Sequence, residues 1–166
     1  MTAAPVSRSR RSRRLLVVVA AGLVAVALVV DPVAQHTLTG ARSIDLGVLQ
    51  LRLAYNTGVA FSMGNQLPAP VLLTVTGLIT AAVAVYAWRA APTSSWPTIV
   101  GLGAIFAGAA ANVIDRTLDG KVTDYLHTGW FPTFNLADTF LTCGVILLLA
   151  ALFVESRSAD SKETAS

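Results

Sequence analysis

The sequence predicts an all-α membrane protein, with four transmembrane helices, both termini cytoplasmic, and a small extracytoplasmic β-sheet. Three observations carry this. Of 166 residues, 54% are hydrophobic and only 13% charged, whereas a soluble domain averages about 25% charged. The apolar residues are gathered into four blocks, each near the roughly 20 residues that cross a bilayer. Basic residues crowd against the first block, as membrane orientation demands. The net charge of +3 does not mark a nucleic-acid binder, because five of the twelve Lys and Arg residues form one run, Arg8, Arg10, Arg11, Arg13 and Arg14. A basic run beside an apolar helix is an anchor on anionic lipid, so membrane lipids are expected partners and nucleic acid is not. One Cys and two His exclude an intrachain disulfide and a His/Cys zinc site. No metal or other cofactor is expected.

The first span runs from Leu15 to about Val33. Its basic start and apolar middle resemble a secretory signal peptide, but no A-x-A site follows in Asp31-Pro32-Val33-Ala34-Gln35-His36, so a retained anchor is expected. The second span is about Ala69 to Trp88, the third about Thr98 to Ile114, and the fourth about Leu136 to Val154. The third is short and rich in Gly and Ala, hence the weakest by hydropathy. The chain therefore divides into a basic tail over 1–14, a membrane unit over 15–154 and a polar tail over 155–166. With the N-terminus inside, eight basic residues lie inside (the five Arg, Arg89, Arg157 and Lys162) and four outside (Arg42, Arg52, Arg116 and Lys121). That imbalance places both termini in the cytoplasm.

Between the first two spans, Leu49, Leu51, Leu53 and Tyr55 alternate with Gln50, Arg52 and Ala54, the period of a strand. Asn56-Thr57-Gly58 supplies a turn, after which Val59, Ala60 and Phe61 resume an apolar stretch. A small sheet on the outer membrane surface is expected at about 40–66. Between the second and third spans, Pro92, Ser94, Ser95 and Pro97 mark a short cytoplasmic loop.

Six of the nine acids, all of them Asp, fall outside or at outer span ends: Asp31, Asp45, Asp115, Asp119, Asp124 and Asp138. The working face is therefore the outer boundary. On the third span Gly108, Asn112 and Asp115/Arg116 follow helical spacing and share one face. Gly108 lets a neighbouring helix approach, and a polar stripe above it should turn inward rather than meet lipid. Asp115 and Arg116 could equally end the helix among headgroups. Asp124, in Gly120-Lys121-Val122-Thr123-Asp124-Tyr125, reads by itself as a solvated loop carboxylate. Asn135 is placed to cap the fourth helix, with Asp138 three residues on, where the positive helix end helps keep a carboxylate ionised. Two carboxylates brought together at a partly dry site share a proton, and such a pair can activate water and protonate a leaving amine. Spacing alone does not bring Asp124 and Asp138 together.

The segments Asn56-Thr57-Gly58-Val59-Ala60-Phe61, Gly108…Asn112-Val113-Ile114-Asp115-Arg116, Gly120…Val122-Thr123-Asp124-Tyr125 and Phe134-Asn135-Leu136-Ala137-Asp138-Thr139 resemble, in order, the motifs of bacterial lipoprotein signal peptidase (signal peptidase II). The resemblance spans Asp31 to about Leu149. It implies an intramembrane aspartic endopeptidase with an outer β-cradle, acting as a monomer on prolipoproteins whose lipobox Cys carries diacylglycerol and cutting just before that Cys. It implies Asp124 and Asp138 as the catalytic pair. Asn56, Gly58, Gly108, Asn112, Arg116 and Asn135 would shape the site or bind substrate, and Asp31 and Asp115 would be structural. Phe61 belongs to the cradle motif. The cell location implied is the bacterial cytoplasmic membrane, with the site on its outer face.

Three features depart from the family pattern. Gln35 stands where Lys is usual, Thr123 where an apolar residue is usual, and the segment between the two Asp residues is short. These keep a diverged, non-catalytic or narrow-specificity paralogue as an alternative, beside a proton-coupled transporter subunit. His36 and His127 read as polar loop residues and Cys143 as a small packing residue. Trp88, Trp96 and Trp130 read as interfacial anchors; Trp130 and Phe131 are read as belt aromatics in preference to substrate contacts.

Overall fold

Apolar length sets the first level of architecture. The computed structural model describes residues 4–40, 42–58 and 68–163. Among them are four helices long and apolar enough to cross a membrane: α1 (Ala4–Leu38), α2 (Ala69–Ala90), α3 (Trp96–Asp119) and α4 (Leu136–Glu163). Three strands, β1 (Ser43–Asp45), β2 (Gln50–Asn56) and β3 (Val122–His127), form one antiparallel sheet in that order.

α3 has the lowest mean hydropathy of the four, 1.7, yet it is the central helix, packing on α1, α2 and α4. The two facts have one cause. A helix covered on three sides needs small residues more than lipid-facing bulk. A Cβ added to Gly144 of α4 would stand 2.8 Å from the Gly101 carbonyl oxygen and 2.8 Å from the Ile105 nitrogen of α3. A Cβ on Gly108 would collide with the Ala137 carbonyl oxygen. Backbones touch at both levels, so no larger residue fits. The third span starts at Trp96, just before the expected Thr98, and runs past the expected Ile114 to Asp119.

α1 also exceeds its expected limits. The basic run is helical, and the helix continues past Pro32 to Leu38, where the hydroxyl of Thr39 donates to the carbonyls of Gln35 and His36. Pro removes one helical hydrogen bond, which membrane helices tolerate. His36 is thus in the last helical turn rather than a loop. In α2 the hydroxyls of Thr74, Thr76 and Thr80 donate to carbonyls four residues back, which satisfies them in an apolar setting.

At one end of the bundle Arg13 lies over the Trp88 ring at 4.9 Å, and Thr98 donates to Glu155. The sheet stands at the other end. Its first hairpin turns on Gly47 (φ 87°), whose N–H donates to Asp45 Oδ1 at 2.8 Å. The alternation over 49–55 is realised as β2. Its second partner among the described residues is β3; the stretch Val59-Ala60-Phe61 lies outside the described residues. Asn56 pairs with Val122, Tyr55 with Thr123 and Ala54 with Asp124. Asp124 therefore sits in a strand and is 3% exposed, not in a solvated loop. β3 shows no alternation in sequence because Val122, Thr123, Asp124 and Tyr125 are all buried, on both faces. His127 closes this strand instead of lying in a loop.

Candidate active site

Each of the two Asp residues is delivered by the local logic of its own element. α3 ends at Gly120, whose left-handed conformation (φ 71°) lets its N–H donate to the Arg116 carbonyl, a glycine C-cap. The chain then turns directly into β3, where period two sends Val122 and Asp124 to one face and Thr123 and Tyr125 to the other. The 13 residues between Asp124 and Asp138 fold back through a single bridge. Leu126 and Phe134 exchange N–H···O=C bonds of 2.8 and 2.9 Å, which pinches 128–133 into a small loop with Gly129 at φ 87°. α4 opens immediately after that bridge.

The start of α4 is a reciprocal capping box with Asp in place of Glu. The Asp138 N–H donates to Asn135 Oδ1 at 2.9 Å, and the Asn135 N–H donates to Asp138 Oδ2 at 3.1 Å. Asn112 of α3 completes the set. Its Nδ2 donates to Asp138 Oδ1 at 2.7 Å, and its Oδ1 accepts from Asn135 Nδ2 at 2.9 Å. Asn135 is wholly buried. Both oxygens of Asp138 therefore accept hydrogen bonds from fixed donors at the positive end of a helix.

Asp124 has the opposite surroundings. Its Oδ1 is buried and meets no hydrogen-bond partner among the described residues. Burial, then the neighbouring charge of Asp138, push its carboxyl up from 3.8 to about 7; Asp115 adds to this, while the Asn56 side chain and Arg116 pull the other way. The two carboxylates thus stand in two different environments, Asp138 held by donors and Asp124 buried with one oxygen unpartnered among the described residues.

The remaining predicted residues surround this pair. Asn56 accepts the Gly58 N–H at 3.0 Å in an Asx turn, and Arg116 Nη2 donates to the Gly58 carbonyl at 3.0 Å, tying the end of β2 to α3. Asp115 accepts the Thr123 N–H at 2.7 Å. Asp31 accepts the Tyr125 hydroxyl at 3.0 Å, and that hydroxyl accepts the Leu136 N–H at 3.2 Å. Burial, then the nearby Asp31 charge, raise the Tyr125 phenol above its ordinary range. Tyr125, which sequence reasoning had not singled out, thus joins α1, β3 and α4. Gly108 faces α4 at the close contact described above rather than the open site. Among the described residues no group of three or more His, Cys, Asp or Glu could hold a metal ion.

A cavity of about 720 Å³ opens in front of the pair, with Asn56, Gly58, Asn112, Arg116, Asp124 and Asp138 at its polar head. Its walls come from α2, α3, α4 and the segment before α4 and are largely apolar, including Ile79, Val113, Phe134 and Leu141. Trp130 and Phe131 form its lip, stacked edge to face with centroids 5.6 Å apart, so these aromatics border the cavity. Cys143 is exposed on its wall rather than packed between helices. His127 meets Thr133 at 3.4 Å.

The sequence model of one family, Signal peptidase (SPase) II, matches residues 11–154. A lipoprotein signal peptidase from Dehalococcoides mccartyi is 39% identical over 75% of this chain and 80% of its own length. One from Rhodococcus jostii is 32% identical over 91% of this chain and 79% of its own. Two solved chains, both described as bacterial membrane enzymes determined by the in meso method, share the fold. One has a TM-score of 0.73 at 27% identity, covering 85% of this chain and 88% of that one. The other has a TM-score of 0.70 at 30% identity, covering 82% and 91%.

Proposed function

This chain belongs to the signal peptidase II family, and on that footing we propose that it removes signal peptides from diacylglyceryl-modified bacterial prolipoproteins, cutting before the lipidated Cys with Asp124 and Asp138 as an aspartic dyad. One observation carries the proposal. Two Asp side chains from separate elements face one cavity, Asp138 with both oxygens held by donors and Asp124 with a buried oxygen free of partners among the described residues.

The chemistry follows from that difference. At rest Asp138 carries the charge and Asp124 the proton. Asp138 takes a proton from water as the water oxygen attacks the scissile carbonyl carbon, and Asp124 gives its proton to the carbonyl oxygen. Collapse of the gem-diol breaks the C–N bond. The leaving amine takes the proton held on Asp138, and a diol hydroxyl returns one to Asp124, which restores the starting state. Asn112 and Asn135 orient Asp138, and Asn56 flanks Asp124. Arg116 holds the turn at Gly58, and Asp31 and Asp115 hold β3. The apolar cavity walls suit a lipid-bearing, signal-peptide substrate.

Positive charge gathers at the bundle end opposite the site, which supports a site on the outer face of the cytoplasmic membrane. The gathering of Asp31, Asp115, Asp124 and Asp138 at the site end of the bundle, and the absence of acids from α2, speak against proton-coupled transport.

The test is cleavage of a diacylglyceryl-prolipoprotein by the purified protein in detergent, read as loss of the signal peptide. Wild type should cleave, with a rate that falls as pH rises through about 7, where Asp124 loses its proton. Asp124→Asn and Asp138→Asn should each lose about 10³-fold or more in kcat. Undiminished cleavage by either variant would remove the dyad, and a wild type without cleavage would point to a paralogue that only binds.

A further inference from the structure

Asp124 does not hold itself in place. One carboxyl oxygen has no partner among the described residues, so the strand on either side must fix where the group stands. Both of its neighbours are tied to α1. Gln35 Nε2 donates to Thr123 Oγ1 at 2.6 Å, and the Tyr125 hydroxyl donates to Asp31 Oδ1 at 3.0 Å. Asp31 and Gln35 lie four residues apart on a helix, a rise of about 6 Å. Thr123 and Tyr125 lie two apart on a strand, a rise of about 6.6 Å. The repeats match, so two rungs form at once between α1 and an oppositely running β3. Asp124 projects from between the rungs to the other face, toward the cavity.

Thr123 is completely buried and is held a second time, its N–H donating to Asp115 of α3. Gln35 and Thr123 are also two of the positions at which this sequence leaves the pattern it otherwise resembles. The structure makes them partners of each other. A Gln amide needs an acceptor at that point, and an apolar residue at position 123 would leave it without this one.

We propose that Gln35 and Thr123 are a matched pair of positioning residues that, with the Asp31–Tyr125 rung, set the placement of Asp124 relative to Asp138. Neither is among the residues that line the cavity. The inference rests on the dyad described above.

The test uses the full chain in detergent and the same cleavage assay, with Asp124→Asn as control. Thr123→Val, which keeps the side-chain shape, and Gln35→Leu should each lower kcat about tenfold or more while KM holds, since small misplacements of a reacting group are costly. Each should also shift the alkaline limb of the pH profile, because Asp124 moves relative to the charge on Asp138. Thr123→Ser should recover most of the rate. The double variant Gln35→Leu/Thr123→Val should be no slower than the slower single variant, as expected when both remove one interaction. Thermal unfolding of every variant separates placement from folding. Gln35→Leu breaks the same bond from the half-buried side and serves if Thr123→Val does not fold. Unchanged kcat in Gln35→Leu, losses that multiply in the double variant, or losses that follow melting temperature with an unmoved pH limb would overturn the pairing while leaving the dyad intact. Wild-type cleavage abolished by Asp124→Asn keeps the dyad in place while the pair is judged; a wild type that does not cleave removes both.

Discussion

Asp124 stores its effect as a proton. The folded protein holds that proton up to about pH 7, whereas an ordinary Asp releases it near 3.8. Between those values the folded state binds more protons than the unfolded chain, so stability falls as pH rises through the window. Asp124→Asn removes this dependence. The variant should melt at a higher temperature than wild type at pH 8, and the gap should close as pH falls toward 4, measured by thermal unfolding in detergent across pH. A gap independent of pH would show that the carboxyl is not held neutral by burial. Much of this site was legible at the level of single residues. Asn135 and Asp138 announce a cap by their spacing, and Asn112 lies one turn below Asp115 and Arg116 on the same helix. Tyr125 was not legible, because its role depends on Asp31, 94 residues away in sequence. The same holds for Gln35 and Thr123, separated by 88.

Among the elements, the contact between α3 and α4 places Asn112 against Asp138. Gly108 is the residue that permits this. A methyl group there meets the Ala137 carbonyl oxygen, the Leu141 nitrogen at 2.9 Å and the Leu141 Cβ at 3.0 Å, none of which is a flexible tip. Gly108→Ala should therefore part the two helices and lengthen the Asn112–Asp138 hydrogen bond. A loss of about tenfold to a hundredfold in kcat is expected, with a lowered melting temperature; unaltered values of both would show that the helices give way freely. The helices themselves follow from block length and the small-residue face of α3. β3 does not, because a strand covered on both faces loses the period of two that revealed β2. The helix ends beyond Leu15, Val33 and Ile114 were missed for a related reason. Hydropathy marks where the apolar stretch stops, whereas α1 and α3 continue as helices through polar residues, the basic run before Leu15 and Asp115–Asp119 after Ile114.

Across the whole molecule, four helices alternate in direction, so the site and the basic cluster occupy opposite ends. In intact cells, Val48→Cys on the β1–β2 hairpin, 91% exposed, should react with a membrane-impermeant maleimide. Ser94→Cys, between α2 and α3, should react only after the membrane is opened. Both belong in a Cys143→Ser background, and the reverse pattern would invert the orientation. With two carboxylates at one end and lipid-facing residues along its length, the molecule is a scaffold that leads an apolar cavity up to a charged boundary. Cys143 lies on the wall of that cavity, five residues beyond Asp138 on the same helix, hence about 7.5 Å further along its axis. It is the single thiol in the chain. Nature has thus left a unique attachment point for a spectroscopic reporter. A fluorophore or nitroxide coupled there would register occupancy of the cavity in real time, without any engineered residue and independently of whether a bond is cut.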